Sequence, residues 1–100
     1  MKKLHIRAAV RADDGSERTF GVIGRNAWAL ENLIQAGHRG CTPIDVPGPR
    51  WSAYVHRLRH DYGLNIETVD EPHGGPFAGS HARYVLHDEV RVVERESRHD

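Results

Sequence analysis

Residues 49–62, PRWSAYVHRLRHDY, carry the pattern that decides the fold of this chain. The large apolar side chains recur at the i, i+3, i+4 and i+7 spacing of a helix with one buried face; they are Trp51, Tyr54, Val55 and Leu58. Pro49 suits the first position of a helix, because its missing N–H would have no partner there. Gly63 suits a left-handed C-terminal cap. The pattern therefore predicts an amphipathic helix over 49–62.

The outward face of this predicted helix is basic and rich in hydrogen-bonding groups. Arg59 lies at its margin, and the face itself carries Arg50, Ser52, Ala53, His56, Arg57 and His60. A helix with such a face can lie in the major groove of DNA. The same pattern is also typical of an ordinary surface helix with a solvated charged face. The sequence of the segments on either side of the helix is needed to distinguish these two interpretations.

The charged residues are balanced in number but unevenly distributed. The chain has 100 residues, which indicates one domain, and it contains 14 Lys/Arg and 14 Asp/Glu. Residues 1–60 hold ten of the basic and five of the acidic side chains, whereas residues 61–100 hold four and nine. The zero net charge argues against a general polyanion binder. The predicted helix nevertheless lies at the end of a basic half.

The segments before the helix predict a β-hairpin and a second, longer helix. Residues 4–12 and 17–24 alternate around the turn sequence DDGS, which is typical of a hairpin. Residues 25–37, RNAWALENLIQAG, predict a helix with Asn26 as its N-cap and Gly37 as its stop. Trp28 lies off the centre of the apolar stripe of this helix. Its ring is therefore assigned to core packing, with a partner surface as the alternative.

A second helix start signal falls between these two helices. Thr42 followed by Pro43 is typical of an N-cap and a first helical position, and Pro47-Gly48 ends the segment. The sequence therefore predicts a helix of about one turn over 42–46. Helix, short helix and helix, joined by tight turns, is the order of a helix-turn-helix motif.

After Gly63 the pattern changes to the alternation of β-strands. Residues 64–71 and 81–89 predict two strands around the Gly- and Pro-rich loop PHGGPFAGS at 72–80. Residues 90–94 predict an extension of the second strand. Residues 95–100, RESRHD, are typical of a disordered tail.

Four segments together resemble the winged helix-turn-helix family of small bacterial and phage-type DNA-binding proteins. They are ALENLIQAG at 29–37, GCTPID at 40–45, RWSAYVHRLRHDYGLNIET at 50–68 and HARYVL at 81–86. The resemblance implies an α+β fold, in which an N-terminal β-hairpin is followed by three helices, the second very short, and by a C-terminal hairpin wing. It implies a single domain over 1–94, with an N-terminal strand that pairs with the wing.

The resemblance also implies a cytoplasmic, non-enzymatic protein that binds double-stranded DNA, often as a transcriptional regulator. Helix 49–62 would be the recognition helix and would turn its outward residues to the major groove. Thr42, at the start of the second helix, would hold a phosphate. His73, His81 and Arg83 of the wing would reach the DNA backbone. A homodimer would be one route to higher affinity.

The predicted wing departs from the family pattern, because its tip contains no Lys or Arg. Either its glycines let backbone N–H groups approach DNA, or Phe77 at the tip meets a protein. The alternative function is therefore a protein-interaction module without DNA binding, acting through the wing or Trp28.

No catalytic, cofactor or metal site is expected from the sequence. His56 and His60 are spaced as i and i+4, but Cys41 or His87 would have to complete a metal site. Cys41, the single cysteine, excludes an intramolecular disulfide, and a small buried thiol is favoured over a nucleophile. No apolar run is long enough for a signal peptide or a membrane span.

Overall fold

The computed structural model describes residues 2–48, 50–76 and 79–99. The elements in chain order are β1 Lys2–Arg11, β2 Glu17–Ile23, α1 Gly24–Ala36, a 3-10 turn at Gly37–Arg39, α2 Trp51–Tyr62, β3 Ile66–His73, β4 Gly79–Leu86 and β5 Glu89–His99. Strands β2, β1 and β5 form one sheet in that order, and β3 and β4 form another. The α+β class is confirmed. The predicted roles of Pro49 and Phe77 lie outside the described residues.

The N-terminal hairpin is present as predicted. β1 and β2 pair antiparallel from His5↔Ile23 to Arg11↔Glu17. In the turn, the backbone N–H and the hydroxyl of Ser16 both donate to Asp14 Oδ1, at 2.9 Å and 2.6 Å. These bonds satisfy polar groups locally, which is why Asp and Ser are frequent in such turns.

The C-terminal segment corrects the sequence prediction. β5 pairs antiparallel with β1 along its length, from Arg11↔Glu89 to Lys2↔His99, with a bulge between Arg7 and Ala8. Residues 90–94 therefore do not extend the second wing strand, and residues 95–99 are not a disordered tail. The N-terminal strand pairs with β5 rather than with the wing. Main-chain hydrogen bonding holds this strand, so its lack of apolar side chains towards the end does not prevent pairing.

The described residues contain two α-helices, whereas three were predicted. Residues 42–46 form only a turn: Thr42 Oγ1 accepts the N–H groups of Ile44 and Asp45, and the N–H of Val46 donates to the Thr42 carbonyl at 2.9 Å. Thr42 acts as a cap, as predicted, but no helix begins at Pro43. Pro47-Gly48 follows too soon for a helix to propagate.

The helix α1 begins before its predicted cap. Its N-cap is Ile23, which makes no side-chain cap bond among the described residues, so Asn26 lies inside the first turn instead of capping it. Gly37 ends the helix as predicted, and its N–H donates to the carbonyl of Leu33. The strand β2 runs directly into α1, which leaves no loop in which a polar cap could stand.

The helix α2 buries the predicted stripe against α1 and the strands. Its core residues are Trp51, Tyr54, Val55 and Leu58, none of them more than 9% exposed. Full burial of a side chain of this size contributes about 1.5–3 kcal/mol. The ring of Trp28 lies 5.4 Å from that of Trp51, centroid to centroid, so its assignment to core packing is confirmed. Gly63 caps the helix with φ 65° and donates its N–H to Arg59.

One residue between the helices joins the wing to the rest of the domain. Cys41 forms a β-bridge with Tyr84 in β4, with N–H to O distances of 2.9 Å and 2.8 Å in the two directions. Gly40 makes this approach possible, because a Cβ there would lie 2.6 Å from the Tyr84 carbonyl oxygen. The wing is thereby fixed next to the turn that leads into α2.

Candidate nucleic-acid interface

The outward residues of α2 and its N-cap lie where the helical period places them. Ala53 is half-buried, and the exposed positions are Arg50, Ser52, His56, Arg57 and His60. The imidazole rings of His56 and His60 lie 4.2 Å apart, centroid to centroid. Arg57 Nη1 lies 3.4 Å from Asp61 Oδ2, in an exposed i,i+4 pair. This face, called the α2 face below, is polar and carries two arginines, two histidines and the carboxylate that pairs with Arg57.

Two arginines near the α2 face hold the helix rather than extend the face. Arg59 donates from Nε and Nη2 to the Ile66 carbonyl, at 2.9 Å and 2.5 Å, and from Nη2 to the Thr68 hydroxyl at 2.7 Å. Arg18 of β2 donates to the Tyr62 carbonyl at 2.5 Å. A cation at the C-terminus of a helix also interacts favourably with its dipole. The α2 face is therefore anchored both to the wing and to the hairpin.

Sequence reasoning missed the role of Arg18. Its guanidinium carbon lies 5.3 Å from the centre of the Phe20 ring, which stacks on Tyr62 at 4.9 Å. The partners Arg18 and Tyr62 are 44 positions apart in the chain. No local pattern in the sequence indicates such a contact.

Thr42 cannot hold a phosphate in the predicted way. It is 1% exposed, and its hydroxyl oxygen already accepts the N–H groups of Ile44 and Asp45. These two N–H groups are also the ones that an anion at a helix N-terminus would need. The prediction for Thr42 is therefore corrected: the residue caps a turn inside the protein.

The wing residues that were predicted to reach the DNA backbone are largely committed to contacts within the protein. Arg83 donates to both carboxylate oxygens of Glu71 and to the Arg39 carbonyl, the last at 2.9 Å. Its hydrogen bond is the main cause that lowers the pKa of Glu71. His81 Nε2 lies 3.1 Å from Glu71 Oε1, and the half-buried His73 lies beside it, with 5.3 Å between the ring centroids. The expected backbone contact of Arg83 is thus at odds with its position.

From β2 onward the elements follow in a fixed order. The strand β2 runs into α1, a tight turn leads to α2 with its exposed outer face, and the hairpin of β3 and β4 follows α2. A family model for the winged helix domain matches residues 19–96. The chain belongs to the winged helix domain family. Comparisons with curated proteins and with solved structures find no match. Among the described helices of this winged helix domain, none is long and apolar enough to cross a membrane.

Cys41 of this winged helix domain has the surroundings of a structural thiol. It is 1% exposed, and its Sγ lies 3.3 Å from the Asn32 carbonyl, to which it donates. Burial raises the pKa of the thiol, and a neutral thiol is a poor nucleophile. The described residues contain no group of three or more potential metal ligands, so His56 and His60 stand as a pair.

Ion pairs inside the winged helix domain join the two halves of the chain. Arg91 pairs with Glu17 at 2.5 Å and Arg95 with Glu31 at 2.7 Å. Arg11 of the first half lies 3.7 Å from Glu89 of the second. The α2 face carries only a part of the basic charge that the sequence places before it.

Proposed function

We propose that this winged helix domain is a non-enzymatic transcriptional regulator that binds double-stranded DNA with α2 in the major groove. The observation that carries the proposal is the α2 face: an exposed, polar helix surface with two arginines, whose opposite side is packed into the core. A helix that is already folded and packed has no backbone ordering cost at the moment of binding, so only its side chains have to be immobilised. Arg50 and Arg57 are the candidates for bidentate bonds to guanine O6 and N7. Ser52, His56 and His60 are candidates for base or phosphate contacts.

Binding to DNA is tested by fluorescence anisotropy with duplexes of random sequence over a range of salt concentrations. For a protein that neutralises several phosphates, the logarithm of the binding constant falls linearly with the logarithm of the salt concentration. We expect detectable binding at low salt concentration and a steep loss of affinity as the salt concentration rises. If the chain does not bind any duplex even at the lowest salt concentration, the proposal is wrong.

Single variants locate the binding surface. Arg50→Ala and Arg57→Ala should each weaken binding by about 1–3 kcal/mol if they read bases. Arg7→Ala is the matched control, because it removes the same charge from an exposed position on β1. Equal losses in all three variants would indicate non-specific attraction and not a reading helix.

A protein-interaction module is the second candidate, and the wing favours it. Arg83 is bound to Glu71, and the exposed residues Glu67 and Asp70 on β3 give the wing an acidic character. A wing of this kind does not attract phosphates. Sequences selected from a random duplex pool, with the mass of the complex measured in parallel, distinguish the candidates. The mass also tests whether the domain binds as a homodimer.

A further inference from the structure

The guanidinium of Arg83 joins three separate segments of the domain. Its Nε and Nη2 donate to the Glu71 carboxylate on β3, the second at 3.1 Å. Its Nη1 donates to the carbonyl of Arg39 in the 3-10 turn, at 2.9 Å, and lies 3.5 Å from Asp45 in the turn before α2. The Arg83 side chain is only 24% exposed. All three of its nitrogens therefore have partners within the protein.

The surroundings of Arg83 are shaped to hold it. The backbone at Gly40 packs on the stem of the side chain, since a Cβ at Gly40 would lie 3.1 Å from Arg83 Cγ. The hydrogen bond with Glu71 is the main cause that raises the pKa of Arg83 and lowers that of Glu71. Planar, two-point contacts of an arginine with a carboxylate fix geometry as well as charge. Arg83 and Glu71, with Asp45 and the Arg39 carbonyl, are called the wing clamp below.

We infer that Arg83 is a positioning residue, which fixes the wing against the turn that leads into α2 and thereby sets DNA affinity without touching DNA. The inference rests on the proposed DNA binding. The wing clamp connects β3 and β4 to the 39–45 segment, and the next residue, Val46, accepts a hydrogen bond from Trp51 Nε1 at the start of α2. A wing that moves would change how closely the α2 face can approach a groove. Coupling of this indirect kind changes affinity by about 2- to 30-fold.

Glu71 distinguishes a clamp from a phosphate contact. If Arg83 positions the wing, Glu71→Gln breaks the clamp and weakens DNA binding. If Arg83 contacts a phosphate, the same substitution frees the guanidinium and strengthens binding. Asp70→Asn is the matched control, because it removes a neighbouring carboxylate from the other face of β3. The effect of Glu71→Gln is therefore read relative to Asp70→Asn.

Arg83 is tested with Arg83→Met and Arg83→Lys. Lysine keeps the charge but loses the planar fork, so a clamp predicts that both variants weaken DNA binding about equally. A phosphate contact predicts that Lys binds nearly as well as Arg, and that Met lowers the salt slope by about one. We expect both variants to weaken binding with an unchanged salt slope. Tighter binding by Glu71→Gln than by Asp70→Asn, or a reduced slope in Arg83→Met, would overturn the inference.

Amide hydrogen exchange provides a readout that does not depend on DNA. Breaking the wing clamp should speed exchange of the β3 and β4 amides in Arg83→Met, Arg83→Lys and Glu71→Gln, but not in Asp70→Asn. Thermal unfolding confirms that each variant is folded. If the wild-type chain binds no DNA, the proposed function fails while exchange still decides whether the clamp exists. Unchanged exchange in all three variants would show that the wing clamp does not hold the wing.

Discussion

The side chain of Trp51 lies at the point where α1, α2 and the wing meet. Its ring is 5.4 Å from Trp28 of α1 and stacks on Tyr84 of β4 at 6.0 Å, measured between centroids. Its Nε1–H donates to the Val46 carbonyl at 2.8 Å, which ties the turn to the first residue of α2. The helical period in the sequence assigned Trp51 to the buried face. It could not indicate these partners, because all of them come from other elements.

Trp51→Ala should lower the free energy of unfolding by about 3–5 kcal/mol, because it leaves a cavity and removes aromatic contacts. Trp51→Phe should cost less, since it keeps a ring and loses mainly the N–H bond. Arg57→Ala, on the opposite side of the same helix, is the control and should stay within about 0.5 kcal/mol. Urea unfolding measures all three. A loss for Arg57→Ala that equals the loss for Trp51→Ala would mean that the two faces are assigned wrongly.

Arg83 and Thr42 illustrate what a family pattern leaves open at the level of single residues. Both stand where the resemblance placed DNA contacts, and both are bound within the protein. The partner of Arg83 that lies nearest in sequence, Glu71, is 12 positions away, and the Arg39 carbonyl is 44 positions away. The residue types of the wing were readable from the sequence. Their pairing was not, because it depends on how β3, β4 and the 39–45 segment come together.

At the scale of elements, the polar strand β5 was harder to predict than the helix α2. The helix α2 has an apolar stripe, a glycine stop signal and a sufficient length, which together predict an amphipathic helix and no other element. The strand β5 is defined by its partner, β1. The paired residues are 78 positions apart in the chain at Arg11↔Glu89 and 97 positions apart at Lys2↔His99. Nothing in RESRH itself indicates this pairing. The prediction of a helix at 42–46 was wrong for a different reason. A one-turn helix and a capped turn begin with the same sequence signals.

Removing the end of β5 tests this correction. A chain that ends at Glu94 loses the pairing of β1 with residues 95–99 and the ion pair of Arg95 with Glu31. We expect the free energy of unfolding to fall by about 1–3 kcal/mol, because several net hydrogen bonds are lost. Glu31→Gln removes the ion pair alone and should account for only a small part of this loss in the free energy of unfolding. An unchanged melting temperature after truncation would restore the interpretation of this segment as a disordered tail.

Two glycines next to the helices differ in how strictly they are required. Gly40 has φ 72° and ψ 179°, a conformation that is essentially reserved for glycine, and the Tyr84 carbonyl blocks a Cβ there. Gly63 has φ 65° and ψ 29°, a left-handed conformation that other residues adopt at moderate cost. Both lie at the boundary of an element. Only Gly40 also determines the contact between the wing and the body.

Gly40→Ala should therefore destabilise the domain more than Gly63→Ala. The second substitution costs about 1–2 kcal/mol through backbone conformation. The first adds a clash with a backbone atom that cannot move without breaking the Cys41–Tyr84 bridge, and we expect a loss above about 3 kcal/mol. Urea unfolding of the two variants makes the comparison. Equal losses would mean that the close approach at Gly40 contributes nothing.

At the scale of the whole molecule, ion pairs join segments that are distant in the chain. Arg91 meets Glu17, Arg83 meets Glu71, and Arg95 meets Glu31. The charge difference between the halves was visible in the sequence and favoured a basic binding surface. None of these three pairs draws on that difference: Arg91 and Arg95 belong to the acidic half and Glu17 and Glu31 to the basic half, and Arg83 and Glu71 both belong to the acidic half. Composition alone could not separate the charges that act on a partner from those that act on the fold.

These pairs give the domain a defined response to acid. Hydrogen bonds from Arg91 and from Arg83 are the main causes that lower the pKa values of Glu17 and Glu71 below the ordinary value of 4.5. A carboxylate whose pKa is depressed by folding stabilises the native state above that ordinary value, and the contribution is lost as pH falls through the folded pKa. The wild-type melting temperature should therefore fall as the pH is lowered below about 4.5.

The double variant Glu17→Gln/Glu71→Gln tests whether these two carboxylates cause the fall. It should melt lower than the wild type at pH 6, and the difference should shrink as the pH drops below 4.5, because the wild type loses the same interactions there. Arg83→Met/Arg91→Met removes the same pairs from the cationic side and should flatten the pH dependence similarly. Thermal unfolding at constant ionic strength measures both series. A variant curve that stays parallel to the wild-type curve down to pH 3 would show that the acid response comes from other groups.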